Sequence, residues 1–141
     1  MNEEGNKDGY ALQFDTAGPV ETRIIGPDGL ATDEHEEYLL EDGRLPVKEA
    51  LFDRDALVLE GGQAHSLGLV DPKGNTFVTV RFDAPLFGIW SPPGKNAPFI
   101  CVEPWYGRCD HRDFNGTLEE REWSNSLEAG GEFNASYSIS V

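Results

Sequence analysis

Apolar and polar positions alternate along most of this chain, and no long stretch repeats at the helical interval. Tyr10, Leu12 and Phe14 alternate with small or polar neighbours, and residues 22–25 form a second β-like run. The turn sequence Gly26-Pro27-Asp28-Gly29 closes it. Residues 37–40 predict a short strand before Asp42-Gly43, and residues 47–52 a single helical turn. Residues 56–59 read as a buried strand ended by Gly61-Gly62. The clearest hairpin joins Ser66–Val70 to Thr76–Phe82 through Asp71-Pro72-Lys73-Gly74-Asn75, where Pro and Gly hold turn-favouring places. Val78, Val80 and Phe82 share one face of its second strand. At the far end Phe133, Ala135, Tyr137, Ile139 and Val141 alternate with polar residues, predicting a half-buried antiparallel strand.

Roughly ten strands at intervals of about 8–14 residues predict an all-β fold, an antiparallel β-sandwich. The length fits a single domain, residues 1–141, with little margin in its core. Residues 1–9 show no strand pattern and read as a loose terminus or as the margin of a larger sheet.

Charge narrows the partners. Acidic residues outnumber basic ones 26 to 11, a formal net charge of −15. A field of that sign repels phosphate backbones and anionic bilayers, so nucleic-acid and membrane partners are disfavoured. A solvated surface is the simplest reason for the charge. Met1-Asn2-Glu3-Glu4-Gly5 has neither the basic nor the apolar part of a signal peptide, and no apolar run approaches the ~18 residues of a membrane span. Cys101 and Cys109 in such a chain read as reduced thiols, which predicts a cytoplasmic location.

The densest chemistry lies in Phe87-Gly88-Ile89-Trp90-Ser91-Pro92-Pro93-Gly94 and in Ala97-Pro98-Phe99-Ile100-Cys101-Val102-Glu103-Pro104-Trp105-Tyr106-Gly107. If residues 98–105 are extended, Phe99, Cys101, Glu103 and Trp105 face one side. Apolar surroundings make a carboxylate a stronger base, and Trp90, Trp105 and Tyr106 offer flat surfaces for the C–H face of a sugar ring. From these residues alone, a core strand carrying one exposed or hydrogen-bonded glutamate is the simpler reading.

The two strings, continued to Asp110, resemble the signature of the aldose 1-epimerase (galactose mutarotase-like) family, in particular its LacX-like branch. Leu45-Pro46, Leu51-Phe52 and Asp55-Ala56-Leu57-Val58 resemble that branch's upstream segment. Leu118-Glu119-Glu120, Leu127, Gly131 and Phe133 match its tail loosely. The resemblance implies part of a mutarotase-like supersandwich. It also implies an isomerase that interconverts the α and β anomers of an aldohexose by acid–base ring opening, without cofactor or metal. It assigns Glu103 the catalytic base role, makes Asp55 a candidate for binding substrate hydroxyls, and places Trp90 and Trp105 in the pocket wall. Asp110 reads either as a cap after Gly107 or as a substrate contact.

One departure matters. The family's two active-site histidines precede this region, the second in a His-Pro-x-Phe motif, and no such motif occurs here. His35 lies in the acidic, loop-like run Asp33-Glu34-His35-Glu36-Glu37, while His65 and His111 occupy other unmatched positions. The resemblance therefore covers the C-terminal half of such an enzyme, with the start of the chain resembling an internal loop. A base without its acid predicts weak activity at best, and a half-sandwich predicts self-association or a missing N-terminal half. A non-catalytic carbohydrate-binding sandwich and an acidic interaction module are the competing readings.

Overall fold

The computed structural model describes residues 6–141. Among these, ten strands form two five-stranded antiparallel sheets. The strands are β1 (Ala11–Phe14), β2 (Val20–Ile25), β3 (Ala31–Tyr38), β4 (Arg44–Pro46), β5 (Leu57–Glu60), β6 (Ser66–Val70), β7 (Thr76–Phe82), β8 (Leu86–Trp90), β9 (Cys101–Trp105) and β10 (Tyr137–Ser140). One sheet runs β10-β7-β6-β1-β4 and the other β3-β2-β5-β8-β9. The expected β-sandwich is the fold observed. No helix among the described residues is long and apolar enough to cross a membrane.

Alternation explains how the sheets meet. Leu12, Phe14, Leu67, Val80 and Phe82 point inward from the first sheet, and Val20, Leu57, Leu59, Phe87 and Ile89 from the second. Phe82 and Phe87 make the central contact between them, with ring centroids 4.9 Å apart and planes tilted by 51°. The β6–β7 hairpin follows its turn chemistry: Asp71 Oδ1 accepts the backbone N–H of Lys73 and of Asn75, both at 2.8 Å. The predicted helical turn is a short 3₁₀ segment, Glu49–Phe52, whose Phe52 is fully buried.

Three elements differ from the sequence reading. The strand expected over residues 37–40 begins at Ala31, so His35 lies on β3 and not in a loop. Its Asp33–Glu37 stretch is polar because β3 is an outer edge, where charge discourages pairing with other chains. The closing strand is shorter than its alternation, Tyr137–Ser140, and exposed throughout. Tyr137 and Ile139 sit opposite Phe82 and Val80 and share their inward side. They remain 65% and 59% exposed because no strand of the second sheet covers them among the described residues. Finally, of residues 1–9, the first five lie outside the described residues, and Lys7 is buried. Its Nζ donates to Glu49 Oε2 at 2.6 Å and to the Ala97 carbonyl at 3.0 Å.

Because Phe87 joins the two sheets, Phe87→Ala should cost about 3–5 kcal/mol. Urea unfolding followed by far-UV circular dichroism measures this, and the loss should exceed that of Phe77→Ala, whose ring is partly exposed.

Candidate functional site

Strands β8 and β9 build the core with one set of side chains and the site with the other. Directly opposed residues in an antiparallel pair project to the same face. Gly88 opposes Glu103, Trp90 opposes Cys101, and Leu86 opposes Trp105. Val58 and Glu60 of β5 oppose Gly88 and Leu86, and Arg23 of β2 opposes Val58. Since Phe87 and Ile89 point into the sandwich, all these residues lie on the outer face of the second sheet.

That face is half covered by the segment after β9. Ala31 N donates to the Asp110 carbonyl at 2.9 Å and Arg112 N to the Ala31 carbonyl at 2.8 Å, which ties the segment across the sheet to β3. Cavities open along its margin. One of about 320 Å³ is lined by Ile25, Asp55, Val58, Trp105, Arg108 and Cys109. A neighbouring one of about 490 Å³ is lined by Ile24, Pro27, Asp55, Trp90 and Pro93. Both fall within the ~300–1,000 Å³ of typical small-molecule sites. Asp55 borders both, held at the exit of the 3₁₀ turn with φ +79° while its Oδ1 accepts the Ala56 N–H at 2.7 Å.

Glu103 stands half-buried on the same face. Its Oε2 accepts the Trp105 indole N–H at 3.2 Å. On the other side, burial and then the charge and hydrogen bond of Glu103 push the Cys101 thiol above its ordinary range, so the thiol keeps its proton at neutral pH. The carboxylate is thus bracketed by its two same-face neighbours on β9. Phe99, expected on that face, precedes the strand and is exposed.

Of the four residues singled out from sequence, Asp55 shares one cavity with Trp90 and the other with Trp105, while Glu103 lines neither cavity and is linked to them through its hydrogen bond from Trp105. Three other residues do not join them. His35 pairs with Glu21 at 3.8 Å on β3, four strands from β9, a separation of roughly 19 Å. His65 precedes β6 in the other sheet, where its backbone N–H meets Asp15 at 3.1 Å. His111 Nε2 lies 3.2 Å from Asp33 Oδ1, near enough for an ion pair but out of line for a hydrogen bond. Asp110 has a structural place, its side chain paired with Arg121 and its carbonyl with Ala31.

Sequence reasoning missed the ion chain below the cavities. Arg23 donates to Glu60 through Nε and Nη2 at 3.2 and 2.9 Å. The buried Arg108 bridges Glu60 and Glu122 and donates to the Cys109 carbonyl at 2.8 Å. Burial alone would raise Glu60, but hydrogen bonds and charge from Arg23 and Arg108 outweigh it and hold the carboxyl below its ordinary value. Arg112 is engaged by Asp28 at 2.9 and 3.0 Å. Both arginines near the motif thus hold carboxylates, an arrangement that does not favour a phosphate ligand. The signal for Arg23 and Glu60 was register, which a linear reading does not supply.

Two measurements follow from these contacts. A depressed carboxyl stabilises the fold above the unfolded value of about 4.3 and loses that contribution as pH falls through its lower folded value. Glu60→Gln should therefore lower the thermal midpoint at pH 7 and flatten its fall between about pH 5 and 3, read by circular dichroism melts across that range. The Cys101 thiol should alkylate more slowly than free cysteine at pH 8 in a Cys109→Ser background. Glu103→Gln should speed that reaction several-fold, as followed by intact-mass spectrometry.

No family model matches the chain. Protein LacX of Lactococcus lactis subsp. lactis, in plasmid and chromosomal forms, is 30% identical over 122 residues, which is 84% of this chain and 40% of the relative. Among solved structures, the galactose mutarotase related enzyme from Lactobacillus acidophilus superposes with a TM-score of 0.80 at 30% identity. It covers 99% of this chain, while this chain covers 47% of it. A galactose mutarotase-like protein from Lactobacillus casei ATCC 334 gives a TM-score of 0.76 at 26% identity, with the same coverage. The chain thus spans less than half the length of these relatives, consistent with a C-terminal half. Over nearly its whole length it is similar to galactose mutarotase-like proteins.

Proposed function

We propose that this chain carries the base-bearing half of an aldose 1-epimerase-like site, acting on the anomeric centre of an aldohexose. The observation that supports this best is the hydrogen bond to Glu103 from Trp105, whose indole lines the cavity that Asp55 borders. A sugar entering there would lay its C–H face on an indole, with Asp55 accepting a ring hydroxyl.

In the proposed reaction Glu103 takes the proton of the anomeric hydroxyl. The electron pair of that O–H bond becomes the C1 carbonyl as the bond from C1 to the ring oxygen breaks. A general acid protonates the ring oxygen, giving the open-chain aldehyde. After rotation about C1–C2, the deprotonated acid takes back the proton of the C5 hydroxyl as that oxygen attacks C1 on the other carbonyl face, and Glu103 returns its proton to the former carbonyl oxygen. Atoms balance, and only protons move between sugar and protein.

The acid belongs elsewhere in this reading, since His35, His65 and His111 are each held away from Glu103. A second polypeptide half, the share by which the relatives exceed this chain, would supply it. That half would also cover the inward-facing Tyr137 and Ile139. The free thiols of Cys101 and Cys109 suit a reducing, cytoplasmic setting. Without such a half, the same surface supports the second reading, a carbohydrate-binding sandwich without turnover.

Polarimetry of freshly dissolved α-D-galactose and α-D-glucose tests the proposal. The chain joined to the remaining half of the Lactobacillus acidophilus relative should accelerate anomer exchange, and Glu103→Gln should reduce it by about 10²–10⁴-fold. If the joined protein leaves exchange at the buffer rate, the catalytic reading fails. Saturation-transfer contacts to the sugar without exchange would select the binding reading instead.

A further inference from the structure

We propose that Trp105 is a positioning residue for Glu103, and that Gly88 is the vacancy in the neighbouring strand that allows it to act. The proposal rests on the reading of Glu103 as the base and adds how that base is aimed.

Residues two apart on a strand stand about 6.7 Å apart at their backbones, so upright side chains at 103 and 105 would not meet by their tips. They meet because the Trp105 indole lies across β8. A Cβ added at Gly88 would stand 2.5 Å from Trp105 Cζ2, 2.7 Å from Cη2 and 3.2 Å from Cε2. Those atoms belong to a rigid ring packed on the strand, so even one methyl group would displace the indole. The backbone makes no demand of its own here, since Gly88 is not among the positive-φ glycines. Glycine inside a strand weakens it and marks a close approach, in this case by the indole. With the ring down, its N–H points back along β9 to Glu103 Oε2.

The arrangement has a chemical consequence. One carboxylate oxygen is occupied by a rigid donor before any sugar arrives, and the Cys101 thiol steadies the group from the other side. The rotamers of Glu103 are restricted in advance, so its proton-accepting direction is set by the protein. A tryptophan serving only as a wall would contribute binding alike to ground and transition states.

The first test needs no activity. In nitrogen-15 spectra of the 141-residue chain, Trp90, Trp105 and Trp123 each give one indole signal, and Trp105→Phe identifies the second by its loss. Glu103→Gln and Gly88→Ala should both shift that Trp105 signal and leave the Trp123 signal in place. A Trp105 signal that moves with neither substitution overturns the proposal. Gly88→Ala should also lower the thermal midpoint, and Gly88→Ala with Trp105→Phe should recover part of it by relieving the crowding.

In the joined protein, Trp105→Phe keeps the ring and removes the donor, so kcat should fall on the order of ten- to a hundredfold with KM little changed. The double variant should fall no further than the weaker single one. A rise in KM with kcat preserved would make Trp105 a wall and overturn the positioning role. If the indole signals behave as expected but Glu103→Gln retains exchange, the base reading fails while the aimed contact stands.

Discussion

The burial of Phe87 and Ile89 between the two sheets is the constraint on which the rest of the chain depends. Those side chains lock β8 against the first sheet, and their packing leaves β8 no freedom to slip by one residue. A slip of that size would turn Gly88 and Trp90 inward and carry the site face into the core. The register of β8 in turn places β9, whose Glu103 is paired with Gly88. Core packing and site geometry are therefore two faces of a single strand.

On the outer face electrostatics take over from apolar packing. Arg23, Glu60, Arg108 and Glu122 alternate in sign along a continuous chain of contacts, so each buried or half-buried charge has an opposite neighbour. Breaking such a chain at one member strands its partner in a poorly solvated place, which costs more than the pair ever contributed. The segment after β9 is anchored by these contacts and by its backbone bonds to Ala31. It lines one side of the cavity that Asp55 and Trp105 border.

Much of this was legible in the residues. Strict alternation located the β6–β7 hairpin, and the Trp90 to Trp105 region concentrated the chemistry at one place. Elements that depend on neighbours were harder to read. The acidic stretch of β3 carries no apolar signal, because an edge strand facing water needs none. In β10 the alternation was real, yet burial depended on a covering strand that alternation cannot report. Gly88 was visible as a glycine amid apolar residues, but its meaning came only from a ring seventeen positions later. Register also explains why Arg23 and Glu60 went unseen, since 37 residues separate two ends of one ion pair.

The buried Lys7 has a mechanical meaning. One ammonium group joins the segment before β1 to Glu49 at the 3₁₀ turn and to the Ala97 carbonyl ahead of β9. The first of these contacts is linked through the turn to Asp55, and the second through the following residues to Glu103. A pull on the backbone at Asn6 is thus shared by both carboxylate-bearing walls at once. Lys7 works as a tie-rod, and together with the Asn96 N–H that reaches Glu49 Oε1 at 3.3 Å it sets the spacing between the two segments.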